Sequence, residues 1–204
     1  MTRFMSCVVV AATLVGGCSS SPPLHYYTLT EVPFDAPLTT PANAVPVRLD
    51  RVTIPTELDR AQLVRRIDST RVQIMDGDRW AAPLDDTIRR VLSDDLAARL
   101  PAGLVANPNE PAAGEKRQSL SVDIKEFYGD AACAVTLRAA WVLKQPDSQS
   151  TRANEEVRVP SVGSCSGSAT VPAAMSQALA KLSDRIASAV ARPADSPNQQ
   201  RQGH

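Results

Sequence analysis

Residues 131–144, Ala-Ala-Cys-Ala-Val-Thr-Leu-Arg-Ala-Ala-Trp-Val-Leu-Lys, alternate between an apolar and a more polar face. The apolar face carries Cys133, Val135, Leu137, Ala139, Trp141 and Leu143. A period of two predicts a β-strand that has one side in the core. The polar run Gln145 to Thr151 predicts a turn, and Glu155 to Gly167 predicts the returning strand of a hairpin.

The two cysteines of this hairpin bear on its register. A turn centred on Gln149 places Cys133 opposite Cys165 and brings Trp141 against Val157 in an apolar cross-strand contact. Export, which the N-terminal residues described below indicate, favours a disulfide between two thiols, so we predict one between Cys133 and Cys165. A metal site is the alternative, but two Cys without a nearby His or further Cys cannot complete a tetrahedral sphere. No metal is therefore predicted.

Two segments have the period of an amphipathic helix. Residues 83–100 place Leu84, Ile88, Val91, Leu92, Leu96 and Leu100 on one face. A second helix starts with Thr170 as its cap, and its apolar stripe is Met175, Leu179, Leu182, Ile186 and Val190.

Strand patterns fill much of the remaining sequence. They cover residues 25–29, 45–54 with a bulge near Asp50, 63–66, 71–75 and 120–125, the last followed by Phe127 and Tyr128, and Asp76-Gly77 is a strong turn signal. Residues 34–44 carry two prolines and no period, which predicts a loop. Together with the hairpin, these elements predict an α+β fold. It is a two-layer domain with a mixed, mostly antiparallel sheet of about five or six strands and both helices on one face.

The first residues have the features of an export signal. Arg3 precedes an apolar run, and Leu14-Val15-Gly16-Gly17-Cys18 resembles a bacterial lipobox. We predict that residues 1–17 are a lipoprotein signal peptide, that Cys18 is lipidated, and that 18–24 form a tether. Residues 25–191 then form one domain, and 192–204, rich in Pro, Gln and Asn, a disordered tail. An ordinary secretory signal, with Cys18 a bystander, is the alternative interpretation.

Composition and residue types narrow the function. The 204 residues include 22 Lys+Arg and 22 Asp+Glu, and this balance gives no electrostatic footprint for nucleic acid. The two His are peripheral, at position 25 beside the tether and at the last position, 204. Adjacent carboxylates such as Asp94 and Asp95 point about 100° apart on a helix, and we interpret them as a solvated face. We therefore expect neither an enzyme nor a cofactor.

Five side chains are candidates for contacts with a partner. The segment Leu58 to Arg66 holds three Arg beside one Asp, which suits an anionic partner or a lipid headgroup, although the same residues could be satisfied within the fold. Aromatic and Arg side chains supply most of the binding energy at interfaces. The candidates are Tyr26, Tyr27, Arg60, Arg65 and Arg66.

These segments together resemble the ABC-type transport auxiliary lipoproteins of the PqiC/YmbA kind, which accompany MCE (mammalian cell entry) domain proteins. The resemblance is carried by four pieces in order. They are the lipobox at Cys18, Tyr26-Tyr27-Thr28-Leu29 after a Ser-Pro-Pro tether, Ile54-Pro55 with Leu58-Asp59-Arg60 and Gln62-Leu63-Val64, and Arg79-Trp80-Ala81-Ala82-Pro83-Leu84. The second half matches only in its order of elements.

The resemblance implies a lipid-anchored protein on the periplasmic face of the outer membrane. Its implied partners are an MCE-domain protein and the ABC permease and ATPase, with which it would move phospholipid or other lipid between the inner and outer membranes and support membrane integrity. A homo-oligomer is left open. The alternative function is a general envelope-integrity or assembly lipoprotein, associated with peptidoglycan and without a transport role.

Overall fold

The computed structural model describes residues 23–42, 44–106, 116–147, 149–160 and 169–192, and within these ranges the chain forms seven strands and two helices. The N-terminal elements are β1 (His25–Tyr27), β2 (Val47–Thr53), β3 (Gln62–Arg66), β4 (Val72–Trp80) and α1 (Leu84–Arg99). The later elements are β5 (Gln118–Gly129), β6 (Val135–Lys144), β7 (Ser150–Val159) and α2 (Thr170–Val190).

The strands form one mixed sheet in the order β1-β4-β3-β5-β6-β7, and β2 also pairs with β5. The long strand β5 takes two parallel partners along the same edge: β2 along residues 118–123, and β3 at the bridge between Arg65 and Gly129. Its other edge pairs antiparallel with β6. The predicted α+β class is confirmed, and the number of strands is slightly larger than predicted.

The predicted register of the β6–β7 hairpin is wrong. Trp141 pairs with Ala153 rather than with Val157, because the turn is centred near residue 147 and is closed by a 2.8 Å hydrogen bond from Gln145 N–H to Gln149 O. The shift is an even number of residues, so the apolar face still points into the core. Cys133 precedes β6, buried and at φ 58°.

The observed register therefore removes our argument for placing Cys133 opposite Cys165. Cys165 lies outside the described residues, as do Cys18 and residues 193–204 of the predicted tail. The pairing of the two cysteines stays a prediction.

The turn predicted at Asp76-Gly77 is also wrong. The turn between β3 and β4 lies at residues 67–71, where Asp68 Oδ1 accepts hydrogen bonds from the N–H groups of Thr70 and Arg71, both at 2.9 Å. Asp76-Gly77 instead lies inside β4, where the β3–β4 register jumps. The bulge predicted near Asp50 is confirmed, because the β2–β5 register shifts between Leu49 and Arg51.

The helices cover one face of the sheet. All the apolar residues of both predicted stripes are buried. The close packing of α2 is evident at Gly129 of β5, where an added Cβ would stand 2.7 Å from Val171 Cγ1. Thr170 is the first residue of α2 rather than its cap, and Ala169 before it makes no side-chain capping bond.

Candidate functional site on the open face of the sheet

The sheet face opposite the helices carries a cluster around Arg66, at the end of β3. The Arg66 guanidinium carbon lies 4.6 Å from the centre of the Tyr128 ring, a cation–π contact, and Arg66 Nη2 lies 3.9 Å from Glu126 Oε2. Tyr128 in turn donates a 2.7 Å hydrogen bond to Glu57 Oε1. We call Glu57, Arg66, Glu126 and Tyr128 the Arg66 cluster.

Hydrogen bonding and burial set the electrostatics of this cluster. The bond donated by Tyr128 is the main cause that lowers the pKa of Glu57, so the carboxylate stays charged. Burial is the main cause that raises the pKa of Tyr128, with the neighbouring Glu57 adding to the shift, so the phenol stays protonated. Its hydroxyl is therefore a fixed donor, and Arg66 keeps one positive charge on a face that is partly open to solvent.

A cavity of about 300 Å³ adjoins the Arg66 cluster. Besides Glu57, Arg66 and Tyr128, it is lined by residues 68–71 of the β3–β4 turn and by Val72 of β4. Arg71 is ion-paired with Asp68 at 2.6 Å, with 72% of the Arg71 side chain exposed. The cavity thus places two guanidinium groups beside the carboxylates of Glu57 and Asp68 and the hydroxyl side chains of Ser69 and Thr70, which suits binding of a polar group.

The five predicted partner residues differ in their exposure and in the contacts that they make within the fold. Tyr26 is 62% exposed, and Arg60 is exposed in the turn before β3, with no ion-pair partner in the part of the chain that the structure describes. Tyr27 is half-buried, and its hydroxyl donates to Asp78 Oδ1 at 3.1 Å. Arg65 is half-buried and donates to the carbonyl of Ala131 at 3.4 Å. Tyr26 and Arg60 are thus the two whose side chains are free to contact a partner.

The largest departure from the sequence interpretation is Asp95 on α1, which is completely buried rather than part of a solvated face. Its Oδ1 accepts a hydrogen bond from Val32 N–H at 3.1 Å and lies 3.4 Å from Arg99 Nη1. Arg99, itself 2% exposed, also contacts Asp184 of α2, with 2.5 Å between Nε and Oδ1. A charged pair therefore joins α1, α2 and the segment after β1.

That segment, residues 29–38, crosses the helix layer and is called the crossing segment below. Arg90 donates a 2.9 Å hydrogen bond to the carbonyl of Leu29, and Thr30 N–H donates to Ser176 Oγ at 3.2 Å. The Phe34 ring lies 4.9 Å from the guanidinium carbon of Arg99. Sequence reasoning missed these contacts because the segment has no period and its partners are remote in the chain.

Two kinds of feature are absent from the described ranges. No group of three or more His, Cys, Asp or Glu side chains in them is placed to hold a metal ion. No helix within the same ranges is long and apolar enough to cross a bilayer. The described residues form a two-layer α+β domain with an open sheet face that bears charged and aromatic side chains.

Comparison with known proteins gives the family. The family model for the ABC-type transport auxiliary lipoprotein component matches residues 27–187, so the chain belongs to this family of transport accessory lipoproteins. The chain is 29% identical over 137 residues to the intermembrane transport lipoprotein PqiC of Escherichia coli K12, which covers 67% of this chain and 72% of that protein. The PqiC protein of Shigella flexneri matches to the same extent.

Two solved structures share the fold. A crystal structure of an uncharacterized protein superposes with a TM-score of 0.68 at 22% identity, over 83% of this chain and 99% of that one. A Xanthomonas campestris protein superposes with a TM-score of 0.58 at 18% identity, over 82% and 95% of the two chains. At these identities the likeness bears on the fold alone.

Proposed function

We propose that the protein is an outer-membrane lipoprotein, anchored through Cys18 on the periplasmic face, that serves an MCE-type ABC lipid transport system as an accessory subunit. In this role it docks onto an MCE-domain protein or the associated permease and helps phospholipid or another lipid to pass between the inner and outer membranes. It contributes binding and position and carries out no chemical step. The observation that carries the proposal is the family membership over residues 27–187, together with the lipobox at Cys18.

The anchor is tested by replacing the thiol that would receive the lipid. In cells that export the full chain, Cys18→Ala removes the acceptor for the acyl chains, so the variant should remain uncleaved or be found outside the outer-membrane fraction. Ser19→Ala is the matched control, because it leaves the acceptor in place. Normal processing and outer-membrane fractionation of Cys18→Ala would contradict the anchor.

Docking is tested with the two candidate side chains whose atoms the fold does not use. Tyr26 is 62% exposed and Arg60 is exposed, so alanine at either position should leave folding intact. Aromatic and Arg truncations at an interface centre typically cost 2 kcal/mol or more, roughly a thirtyfold loss of affinity. We expect Tyr26→Ala with Arg60→Ala to weaken co-purification of the MCE-domain partner from detergent-solubilised envelopes.

The control for docking is Arg152→Ala, which removes an exposed Arg from β7, at the far side of the sheet. It should leave the yield of partner unchanged. If the wild-type chain captures no MCE-domain protein, permease or ATPase, the transport role is wrong. If it captures them and the double variant does so equally well, the transport role stands and the docking surface lies elsewhere.

A further inference from the structure

Large apolar side chains that remain exposed in the described residues are concentrated at one place in the fold. Three of them, Ile67 at 38%, Val72 at 47% and Ile74 at 41% exposed, lie on the turn between β3 and β4 and on the first residues of β4. Leu24, 45% exposed, lies just before β1, and Tyr26, 62% exposed, lies in β1, which pairs with β4. We call Ile67, Val72 and Ile74 the hairpin tip.

The direction of the N-terminal strand points toward this hairpin tip. β1 is parallel to β4, with His25 opposite Asp78 and Tyr27 opposite Trp80. Following the chain back from His25 therefore follows β4 back from Asp78 toward Val72. The contact at Gly77 agrees, because a Cβ there would lie 3.9 Å from the carbonyl oxygen of Pro23. The chain thus leaves the described domain at Pro23, on the side where the tip projects.

Chain length then limits how far the membrane lies from the domain. Cys18 precedes Pro23 by five residues, which span at most about 18 Å even when fully extended. From Val72 to Met75 β4 is regular and extends by about 10 Å, and the turn before Val72 projects further in the same direction. A lipid held at Cys18 therefore keeps the bilayer surface close to the level that the hairpin tip reaches.

The charges near the tip are balanced and do not oppose contact with a phospholipid surface. Arg65, Arg66 and Arg71 flank the apolar side chains, while Asp68 pairs with Arg71, and Glu57 and Glu126 lie beside Arg66. The pKa of Asp68 is lowered to about 2 mainly by the N–H of Thr70, so Asp68 stays ionised. The guanidinium groups can contact lipid phosphates, and the aliphatic side chains can enter the headgroup boundary.

We propose that the hairpin tip is a second membrane contact, in which Ile67, Val72 and Ile74 enter the headgroup region of the phospholipid bilayer that holds the Cys18 anchor. This inference rests on the proposed lipid anchor and adds to it a fixed orientation. One acyl attachment lets a domain rotate about its tether, whereas a second contact some distance away holds the open sheet face at a set angle to the membrane. The Arg66 cluster and its cavity would then lie next to the lipid surface.

The test places a fluorescent reporter at the hairpin tip of the acylated protein. The full chain is expressed, processed in cells, purified in detergent and reconstituted into vesicles of phosphatidylethanolamine and phosphatidylglycerol that carry bromine on their acyl chains. Bromine quenches tryptophan only within the bilayer, and both native tryptophans, Trp80 and Trp141, are buried in the fold. The added emission of Val72→Trp should be lost to a large extent, whereas that of Asn154→Trp, exposed on β7, should persist.

A further pair of variants tests the apolar contact itself. In the Val72→Trp background, Ile67→Asp with Ile74→Asp should restore the emission, because carboxylates leave the headgroup region. Gln73→Asp, which adds one carboxylate on the opposite face of β4, should leave the quenching in place.

The outcomes separate the inference from the anchor on which it rests. Protein that washes away from the vesicles means that the lipid anchor is wrong and that the inference falls with it. Protein that stays bound while Val72→Trp is quenched no more than Asn154→Trp leaves the anchor standing and overturns the hairpin contact. Equal, strong quenching at both positions also overturns it, since the domain would then lie flat on the bilayer.

Discussion

Asp95 Oδ1 accepts a hydrogen bond from Val32 N–H at 3.1 Å, which fixes the crossing segment to α1 from inside the protein. Burial is the largest influence on this carboxyl and raises its pKa to about 6, with Glu31 and Asp184 adding to the shift. Val32 N–H and the nearby Arg99 oppose it. The charged form of Asp95 therefore lowers the stability of the fold, since its Oδ2 is buried without a hydrogen-bond partner in the described structure.

The raised pKa of Asp95 gives the stability a defined pH dependence. A carboxyl whose folded pKa exceeds its unfolded pKa stabilises the fold below the unfolded value, here 3.8, and loses that contribution as the pH rises to about 6. Asp95→Asn removes this contribution, so the unfolding free energy of the wild type relative to the variant should fall by about 2 kcal/mol from pH 4 to pH 6. Urea titrations at several pH values measure the difference.

The control for this titration is the neighbouring residue. Asp94 is half-exposed and makes a 3.3 Å surface pair with Arg90, so Asp94→Asn should change stability little and keep the wild-type pH profile. A constant difference between wild type and Asp95→Asn across pH 4 to 6 would contradict the assigned titration.

Gly129 should tolerate no side chain. A Cβ there would stand 2.7 and 2.8 Å from the two Cγ atoms of Val171, so Gly129→Ala forces α2 away from β5. Overpacking of this kind costs about 1–3 kcal/mol, measurable by thermal or urea unfolding. Val171→Ala in the same chain should recover part of the loss, because it removes the atoms that clash. If the unfolding free energy lost in the double variant equals the sum of the losses in the two single variants, the side chains at 129 and 171 do not contact each other.

The hydroxyl of Tyr128 should stabilise the fold through its hydrogen bond to Glu57. Tyr128→Phe keeps the buried ring under Arg66 but removes the 2.7 Å hydrogen bond, which should lower the unfolding free energy by about 1 kcal/mol near neutral pH. The lowered pKa of Glu57 stabilises the fold above its unfolded value of 4.5 and loses that effect as the pH falls. The gap between wild type and variant should therefore narrow in acid.

A matched Tyr→Phe change serves as the control for Tyr128. Tyr26 is 62% exposed, so Tyr26→Phe should alter stability by no more than about 0.5 kcal/mol. Tyr128→Phe would contradict the prediction if it were as stable as wild type at neutral pH.

The disulfide between Cys133 and Cys165 stays a prediction that thiol counting decides. If Cys18 is acylated after cleavage, as we propose, the purified protein unfolded without reductant should show no free thiol. The bond closes a loop of about 30 residues, which is expected to contribute roughly 3–4 kcal/mol to the free energy of unfolding in the chain-entropy model. Cys133→Ala should leave one free thiol, at Cys165. Two free thiols in the wild type would contradict the pairing.

Local pattern predicted the helices and most strands because each buries one periodic face. The period does not fix hairpin register, since Gln145 to Thr151 are polar apart from Pro146 and several turn centres are compatible with them. The observed turn still keeps Trp141 inside, because an even shift preserves the face. Asp76-Gly77 failed as a turn signal because the tight turn formed earlier, around the Asp68 side chain.

The contacts of Asp95 and Arg66 could not be predicted from the sequence pattern for a different reason. Asp95 looks like any solvated helix residue until the crossing segment covers it, and its partner at Val32 is a backbone group. Arg66 was identified as a candidate from its charge, but its position over Tyr128 depends on β3 meeting the end of β5. Both sites are products of tertiary contacts between remote segments.

The parallel pairing of β2 with β5 has a consequence for the order of folding. The link from Gln118 Nε2 to the carbonyl of Val45 joins groups 73 residues apart in the chain, whereas β5, β6 and β7 are joined by short turns. Contacts between distant residues form late because a large loop must close first. We expect the β5–β6–β7 meander and α2 to assemble first. The N-terminal strands, which are synthesised before the rest, then have no surface on which to pair until β5 is in place.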